Sequence, residues 1–271
     1  MTILWIILAI IVFIALLYVL SLRGRTGHKG LATLRGWAYA HRGLHDEHRP
    51  ENSMAAFRAA LENGYGIELD IHLLSDGNLA DIHDSSLLRT TGREGMIEDL
   101  TTEDLNDYFL EGTLETIPTF SQVLELFDGK APLVVELKSA GNNCAALCEA
   151  ACKLLEGYKG VYCIESFDPR CILWLKKHRP ELIRGQLSRN FFSGKDKLPW
   201  ILKFLMTYQL CNFLTLPDFI SYHYCDRKNL GCFLVRKLWN VQGVTWTLKT
   251  PQEHETAVNE GWLPIFENYT P

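Results

Sequence analysis

The sequence lacks several features that would place it in a common functional class. It has no excess of basic residues, since 27 lysines and arginines stand against 32 acidic residues and the formal net charge is −5. Proteins that bind nucleic acid usually carry a basic footprint, so nucleic acid is excluded as the main partner. The sequence also contains no glycine-rich phosphate motif, no internal repeat and no low-complexity segment.

A paired-cysteine framework is missing as well. Eight cysteines are present, but no C-x-x-C pair occurs, and the closest cysteines, such as Cys148 and Cys152, are four residues apart at helical spacing. Disulfide-rich domains and thiolate metal sites show more regular spacings. Reduced thiols packed inside a domain in a reducing compartment are therefore predicted.

Charge is absent from the segment Ile3–Leu22, "ILWIILAIIVFIALLYVLSL". Twenty residues span about 30 Å as a helix, which is enough to cross the hydrocarbon core of a bilayer. A cleaved signal peptide is the alternative, but its usual basic start and its small-residue cleavage site are missing. Residues 1–22 are therefore predicted to form a transmembrane anchor.

A basic linker is predicted at residues 23–36, between the anchor and the body of the protein. It carries Arg23, Arg25, Lys29 and Arg35, whereas the two residues before the apolar span have no charged side chain. Positive residues favour the cytoplasmic side of a membrane helix. This pattern predicts a single-pass protein of the cell membrane whose catalytic domain lies in the cytoplasm.

The remaining residues, 37–271, alternate short apolar runs with amphipathic helical stretches, and the whole chain is 47% hydrophobic. The predicted strands are 37–41, 66–72, 132–138, 161–166, 182–188, 219–224, 243–248 and 263–268. Strands that alternate with helices of this length pair in parallel through crossover connections. Eight such units predict a (β/α)8 TIM barrel, and an open doubly wound sheet is the alternative.

One segment interrupts the alternation. In residues 70–84, two extended runs are joined by Asp76-Gly77-Asn78, which is a hairpin turn signal. Residues 85–118 show no clear helix and strand pattern and are predicted to be an insertion. In a barrel, such a hairpin lies at the carboxyl ends of the strands, where the active sites of these folds are found. It can bring His83 close to Glu68 and Asp70.

Charged residues cluster at the predicted strand ends, where a parallel strand is normally apolar. They are His41-Arg42, Glu68 and Asp70, His83-Asp84, and Glu136 and Lys138. Buried carboxylates are costly unless they are paired or bind a metal, and oxygen ligands without sulfur suit Mg²⁺ or Ca²⁺. The two histidines could act as general base and acid, while Arg42 and Lys138 could hold an anionic group such as a phosphate.

These segments together resemble the glycerophosphodiester phosphodiesterases. The matching pieces are "AHRG…PENS" (40–53), "IELDIHLLSDGNLADIHD" (67–84), "VELK" (135–138), "SFDP" (166–169) and "WTLKT" (246–250), which occur in the family's order over roughly residues 38–271. The resemblance implies a TIM barrel that hydrolyses phosphodiesters with a divalent metal. The products would be sn-glycerol 3-phosphate and an alcohol.

The resemblance also implies roles for individual residues. His41 and His83 become the catalytic acid and base, Glu68, Asp70 and Glu136 become metal ligands, Arg42 and Lys138 contact the phosphate, Trp246 forms a pocket wall, and Glu51 has a supporting role near the metal. The metal and Arg42 would stabilise charge on the phosphoryl oxygens. One histidine would deprotonate water or the neighbouring glycerol hydroxyl, and the other would protonate the departing alcohol.

Three residues depart from the family pattern. Ser53 replaces a threonine, Lys249 replaces an asparagine, and Glu267 stands where the family often has Thr-Asp. They are expected to affect the choice of substrate and to lie away from the metal and acid/base residues. His45, His48 and Arg49 match no family role and are predicted to be solvated loop residues, whereas His72 is either a partner of the site or a polar strand end.

The connection at residues 190–217 is unusually apolar. It is either a helix packed on the barrel or an interfacial segment that enters the membrane surface. The second reading would make a lysophospholipid a substrate alongside soluble glycerophosphodiesters, in a lysophospholipase D-type reaction. A membrane-tethered barrel without catalysis and an unrelated metal-dependent hydrolase are the remaining alternatives.

Overall fold

Eight parallel strands form the centre of the protein. The structure, a computed structural model, describes residues 1–194 and 197–271. The barrel strands are β1 (Tyr39–His41), β2 (Gly66–Leu73), β4 (Leu133–Leu137), β5 (Tyr162–Ser166), β6 (Arg184–Ser188), β7 (Phe219–His223), β8 (Gln242–Leu248) and β9 (Trp262–Phe266), and β3 (Leu79–Asp81) is a short additional strand. Each barrel strand lies within two residues of its predicted bounds.

The sheet closes on itself. β1 pairs in parallel with β2 on one side and with β9 on the other, so that Tyr39 lies opposite both Gly66 and Ile265. The order around the barrel is β1-β9-β8-β7-β6-β5-β4-β2. The predicted TIM barrel is confirmed, and the alternative of an open doubly wound sheet is wrong.

Helices occupy the crossover connections, with α1 preceding the barrel. They are α1 (Thr2–Ser21), α2 (Met54–Glu62), α3 (Leu88–Thr91), α4 (Phe120–Phe127), α5 (Cys144–Leu155), α6 (Pro169–His178), α7 (Trp200–Thr207), α8 (Asn212–Thr215), α9 (Leu230–Trp239) and α10 (Pro251–Asn259). Ser53, which stands where the family pattern has a threonine, caps the start of α2. Its hydroxyl accepts a hydrogen bond from the Ala56 N–H. A serine keeps this N-cap as well as a threonine does.

The two faces of each strand have different partners. On β2, Ile67, Leu69 and Ile71 are fully buried in the layer between the barrel and its helices. Because side chains alternate along a strand, Glu68 and Asp70 point to the barrel interior. Burying one aliphatic side chain contributes about 1.5–3 kcal/mol, so the outer face holds the strand while the inner face carries the charges.

A second apolar cluster fills the interior near the amino ends of the strands. Its members are Tyr39, Val134, Cys163, Ile183, Phe219, Val244, Leu263 and Ile265, together with Leu31 and Leu34 from a 3₁₀ helix at Lys29–Leu34. With this end filled by apolar side chains, polar groups are left to the carboxyl ends of the strands.

The predicted hairpin is confirmed. β3 pairs antiparallel with β2, and the turn between them contains Gly77 at a φ of 85°, a conformation that glycine adopts without a steric penalty. The insertion that follows holds α3 and two short 3₁₀ turns at Ile97–Asp99 and Asp104–Asp107. It packs on its own small apolar cluster.

The segment between α1 and the barrel is packed against the barrel. Leu22 is fully buried, and the Arg25 guanidinium contacts both carboxylate oxygens of the buried Asp218 at 2.5 Å. Arg25 also donates to the Leu182 carbonyl at 2.8 Å. The predicted boundaries at residues 22 and 36 stay predictions, but the connection between them is held by buried contacts.

All eight cysteines are free thiols, and six of them are buried. Cys144, Cys148, Cys152 and Cys171 pack between α5 and α6 and the strands beneath them. Their burial agrees with the prediction of thiols packed inside the domain, and their reduced state stays a prediction.

Candidate active site

The first strand ends in a tight turn that places Arg42 over the barrel. Arg42 has a φ of 56° and Gly43 a φ of 81°, and a Cβ on Gly43 would lie 2.9 Å from the backbone carbon of Ala56. Only glycine fits there. The turn directs the backbone N–H of Arg42 to the Glu68 carboxylate, 3.2 Å away, which explains the local pattern His-Arg-Gly.

Three buried carboxylates lie together at the carboxyl end of the barrel. Glu68 and Asp70 come from β2, and Glu136 comes from the neighbouring β4, where it pairs in register with Asp70. One carboxylate oxygen of each lies within 4.8 Å of the others, and each residue is at most 5% exposed. The sequence predicted these three residues as a group, and the structure brings them together.

The charges of this carboxylate group are not balanced by protein contacts alone. Burial, with the nearby charges of Asp70 and Glu136, raises the pKa of Glu68 well above its usual value. Burial also raises the pKa of Glu136 to about 7, although Lys138 opposes the shift. An added cation would remove this repulsion, and three oxygen donors suit Mg²⁺ or Ca²⁺. The residues therefore fit a hard divalent metal.

Two cations flank Asp70. Lys138 Nζ lies 3.0 Å from Asp70 Oδ1 and 2.9 Å from Glu136 Oε1, while Arg42 Nε lies 3.4 Å from Asp70 Oδ2. The Asn52 amide donates to Asp70 Oδ2 at 2.9 Å. Burial alone would raise the pKa of Asp70, but Lys138 and the neighbouring positive groups hold it well below its usual value. Asp70 is thus the carboxylate kept ionised without any metal.

Glu51 connects the first loop to the loop that carries His83. Its Oε1 accepts hydrogen bonds from Arg42 at 2.9 Å and from Arg89 at 2.6 Å. Arg89 also donates to Asp84 at 2.5 Å. Glu51 therefore fixes the guanidinium of Arg42, which is compatible with the supporting role predicted for it.

Each of the two predicted catalytic histidines is paired with a carboxylate. His41 Nδ1 lies 2.9 Å from Glu267 Oε2, and His83 Nδ1 lies 2.5 Å from Asp84 Oδ1. A carboxylate at Nδ1 fixes the ring and leaves Nε2 for chemistry. His41 Nε2 is 3.9 Å from Glu68. Burial lowers the pKa of His41, and it lowers the pKa of His83 to about 4.

The contact between His41 and Glu267 corrects one expectation. Glu267 was expected to affect only the choice of substrate and to lie away from the acid/base residues, and this is wrong. Its carboxylate is the partner of His41, and the hydrogen bond from His41 lowers the pKa of Glu267 to about 2. Two sequence positions 226 residues apart form this pair because β9 closes the barrel against β1.

Glu267→Gln is predicted to slow turnover and to shift the pH dependence of catalysis. The carboxylate opposes the effect of burial on His41, so its removal lowers the pKa of His41 further. In the pH profile of kcat/KM, the limb that reports the titration of His41 should move to lower pH. The value of kcat should fall about tenfold or more, because the His41 ring is no longer held in position by a carboxylate. A pH profile unchanged from wild type would contradict this role.

Two other histidines are placed by the structure. His72 is buried, its Nδ1 lies 2.7 Å from Glu98, and its Nε2 lies 3.3 Å from the backbone carbonyl of His83. It is thus a partner of the site, one of its two predicted readings. His45 was predicted to be solvated, which is wrong: it is half-buried, and a ring nitrogen lies within 4.8 Å of His41 and Glu267.

Glu165 is a site residue that the sequence interpretation missed. It lies on β5 opposite Glu136, is 1% exposed, and lines the same cavity as the catalytic residues. Burial, with the charge of Glu136, raises its pKa well above the usual range. The signal was a lone glutamate in the otherwise apolar and small "VYCIES".

A cavity of about 1010 Å³ opens above these groups. Of the predicted site residues, it is lined by His41, Arg42, Glu68, His83, Glu136, Lys138 and Trp246. Asp70 lies beneath Lys138, and Glu51 lies behind Arg42. Trp246 stands edge-to-face with Phe167, with ring centroids 5.7 Å apart, and forms part of the wall.

Comparison with known proteins agrees with this geometry. Residues 41–269 match the model of the glycerophosphoryl diester phosphodiesterase family. A glycerophosphodiester phosphodiesterase of Caldanaerobacter subterraneus subsp. tengcongensis is 37% identical over 237 residues, which cover 82% of this chain and 89% of that protein. A glycerophosphodiester phosphodiesterase of Bacillus altitudinis is 40% identical over 107 residues, and that alignment covers only 43% of the relative.

Solved structures share the fold. A phosphodiesterase of Oleispira antarctica in complex with the product sn-glycerol-3-phosphate superposes with a TM-score of 0.72 at 21% identity, covering 90% of this chain and 96% of that one. A putative glycerophosphoryl diester phosphodiesterase from Silicibacter pomeroyi gives the same TM-score at 19% identity. The family match spans most of the barrel, including both histidines and all three carboxylates. The chain therefore belongs to the glycerophosphoryl diester phosphodiesterase family.

Proposed function

We propose that this protein hydrolyses glycerophosphodiesters to sn-glycerol 3-phosphate and an alcohol, with a divalent metal, at a membrane surface. One observation carries the proposal: two carboxylate-paired histidines lie with three clustered carboxylates and two cations around a single cavity. This is the set of groups that phosphodiester cleavage needs, namely proton transfer at two oxygens and stabilisation of phosphoryl charge.

The two histidines divide the proton transfers. One Nε2 accepts the proton of the attacking hydroxyl, which belongs to water or to the adjacent glycerol carbon, as a new P–O bond forms. The other delivers a proton to the alcohol oxygen as its P–O bond breaks. Asp84 and Glu267 hold the rings through Nδ1 and stabilise the charged form of each.

Arg42 and Lys138 meet the negative charge of the phosphoryl group. Glu51 holds Arg42 from behind, and Glu136 and Asp70 hold Lys138, so neither cation needs to reorganise during the reaction. A divalent cation bound by Glu68, Asp70 and Glu136 would add Lewis-acid polarisation of the phosphoryl oxygens. Trp246 bounds the space left for the alcohol.

The direct test is hydrolysis of glycerophosphocholine, glycerophosphoethanolamine and lysophosphatidylcholine by the purified chain, with and without EDTA. Release of sn-glycerol 3-phosphate from the first two supports the proposal. A chain that binds these compounds without releasing any product would favour the catalytically inactive, membrane-tethered barrel. Turnover of unrelated phosphate esters alone would favour a different metal-dependent hydrolase.

The membrane part of the proposal rests on α1. This helix is long and apolar enough to cross a membrane, and its side chains before Tyr18 are exposed. A signal sequence has the same composition, so the proposed single-pass topology depends on the helix being retained. The flanking Arg23 and Lys29 favour an orientation of this helix in which the barrel lies in the cytoplasm.

An exposed apolar surface lies on the side of the barrel from which α1 departs. We call it the apolar rim, and its members are Phe192, Trp200, Ile201, Phe204, Phe213, Leu230 and Phe233, from the connection after β6 and from α7, α8 and α9, each at least 41% exposed. α1 packs against α8, and the Trp239 indole at the end of α9 donates to the Val19 carbonyl at 2.8 Å. Anchor and rim thus lie side by side, and Trp200 and its neighbours suit the headgroup region.

The rim is predicted to bind membranes without the anchor. A chain lacking residues 1–17 keeps Tyr18, Val19 and Leu22, which contact the barrel. It should float with vesicles of phosphatidylcholine and phosphatidylglycerol, and the double change Trp200→Ser and Phe204→Ser should abolish flotation. Phe109→Ser, an equally exposed phenylalanine on the insertion, is the matched control. A truncated chain that remains wholly in the soluble fraction would contradict the prediction.

A second candidate substrate, a lysophospholipid, is favoured by the apolar lining and the size of the cavity. Beside the charged groups, its wall includes Phe167, Leu187, Phe191, Leu198, Leu202 and Met206. α7 supplies Leu202 and Met206, so the helix of the apolar rim also borders the cavity. A volume of about 1010 Å³ exceeds the need of a glycerol phosphate headgroup and leaves apolar space for an acyl chain.

Met206→Gln is expected to separate the two substrate classes. The polar amide would lie unpaired against an acyl chain, so kcat/KM for a short-chain lysophosphatidylcholine below its micellar concentration should fall about tenfold. The value for glycerophosphocholine should stay within about twofold. Ile201→Gln, on the outer face of the same helix, controls for added polarity. Equal losses for both substrates would argue against an acyl-chain site.

A further inference from the structure

His41, His45 and Glu267 form a second group of metal-binding side chains, distinct from the carboxylate group of Glu68, Asp70 and Glu136. One ring nitrogen from each histidine and one oxygen of Glu267 lie within 4.8 Å of one another. All three residues are half-buried. Two imidazoles and a carboxylate are the donor set of many zinc sites, whereas the first group offers oxygen alone.

The state of His45 is the second observation. Its Nε2 is buried, and among the described residues no hydrogen-bond partner contacts it. A buried ring nitrogen without a partner costs free energy, because it has lost water without gaining a protein contact. A metal ion that binds the lone pair of this nitrogen would remove the penalty. The His45 ring lies beside Glu267, which already holds His41.

We propose that these three residues form an inhibitory site for a transition-metal dication such as Zn²⁺, separate from the site of the activating hard cation. The inference rests on the proposed function, because His41 is taken as one of the two proton-transfer groups. The ion would replace the hydrogen bond between His41 Nδ1 and Glu267, whose two atoms are 2.9 Å apart. Small movements of the rings would bring the donors to the ~2.0–2.2 Å that zinc requires.

Binding at Nδ1 disables His41 through its tautomer. The neutral ring carries one proton, which sits on Nδ1 when Glu267 accepts it. When a metal occupies Nδ1, that proton must reside on Nε2, so Nε2 can no longer accept a proton from the nucleophile. The metal-bound ring also cannot take up a second proton and deliver it to a leaving group. Either role of His41 is therefore blocked while the carboxylate group keeps its own cation.

Selectivity follows from the ligands. Nitrogen donors favour zinc over magnesium and calcium, which prefer oxygen. Zn²⁺ at the histidine site should therefore inhibit even when Mg²⁺ saturates the carboxylate group. Inhibition through displacement of the activating cation would instead weaken as Mg²⁺ rises.

The test compares the full-length wild-type chain with His45→Gln. Glycerophosphocholine hydrolysis is measured at saturating Mg²⁺ against rising Zn²⁺, and Co²⁺ binding is followed by its visible absorption. His45 has no place in the proposed proton transfers, so the variant should keep basal kcat/KM within about twofold, while its half-inhibiting Zn²⁺ concentration rises about 10- to 100-fold. His48→Gln, on an exposed ring of the same loop, should behave as wild type.

Two results would overturn the inference. One is equal Zn²⁺ sensitivity of wild type and His45→Gln, and the other is inhibition that disappears as Mg²⁺ is raised. The Co²⁺ spectrum keeps this test separate from the proposed function. If the chain hydrolyses no glycerophosphodiester, a Co²⁺ band in Mg²⁺-saturated wild type that is lost in His45→Gln still establishes the site. Absence of that band in wild type refutes it.

Discussion

His41→Ala and His83→Ala should each lower kcat for glycerophosphocholine by about 10²- to 10⁴-fold. This is the usual contribution of a positioned acid or base. Each ring is held by a carboxylate and stands at the edge of the same cavity, so its loss removes one proton transfer and leaves the cations in place. KM should change little, because Arg42 and Lys138 still hold the phosphate.

The control for these variants is His48→Ala, since the His48 side chain is 83% exposed and lies 3.5 Å from the carboxylate of its exposed neighbour Glu47. It should retain wild-type turnover. Melting temperatures measured alongside will show whether the barrel is intact in all three variants. Because the two histidines act on different oxygens in one step, the double variant should lose scarcely more than either single one. Full activity of His41→Ala would refute the assignment.

Removal of divalent cations should abolish turnover, and Mg²⁺ or Ca²⁺ should restore it. One carboxylate oxygen from each of Glu68, Asp70 and Glu136 lies within 4.8 Å of the others. Burial, together with repulsion between these carboxylates, raises the pKa of Glu68 and of Glu136, and a bound cation would oppose both effects. Dialysis against EDTA followed by titration with each cation measures the effect. Full activity in EDTA would refute a metal-dependent mechanism.

Glu68→Gln should resemble metal removal and lower activity by at least about 10²-fold at ordinary Mg²⁺, because one charged ligand is lost. Partial rescue by high Mg²⁺ would locate the defect in metal affinity. Glu165→Gln is the matched control, since this buried carboxyl lies on the neighbouring β5 and outside the group of three. An amide keeps the size of the carboxyl and removes no predicted metal ligand, so that variant should keep clearly more activity than Glu68→Gln. Equal losses in both variants would speak against this ligand set.

Much of the barrel could be predicted because its signals are local. Each strand is a short apolar run, each helix has a 3.6-residue period, and Asp76-Gly77-Asn78 marks the hairpin within a few residues. Glu68 and Asp70 could be placed together because alternation puts residues two apart on one face. Glu136 followed because adjacent parallel strands end at the same edge of the sheet.

The missed features depend on closure and on packing across long distances in the sequence. Glu267 reaches His41 only because β9 lies beside β1, and the order of strands around a barrel has no local signal. His45 lies in a polar run, "LHDEHRP", whose composition indicates solvation, but one nitrogen of its ring lies within 4.8 Å of a Glu267 oxygen at the closure of the barrel. The contact of Arg25 with Asp218 likewise joins two segments that are remote in sequence.

The pairing of β1 with β9 also determines when the enzyme can become active during its synthesis. β1 is the first barrel strand to leave the ribosome. Its pairing partner Ile265 and the hydrogen-bond partner of His41, Glu267, are synthesised more than 200 residues later. A nascent chain that lacks β9 leaves β1 and β8 as open edges of the sheet and leaves His41 without its carboxylate partner. Bringing β9 to β1 closes a loop that contains nearly the whole barrel, which costs chain entropy and slows folding. Until then, the open strand edges can associate with chaperones or with other chains. His41 therefore acquires its carboxylate partner only after β9 has been synthesised and has paired with β1.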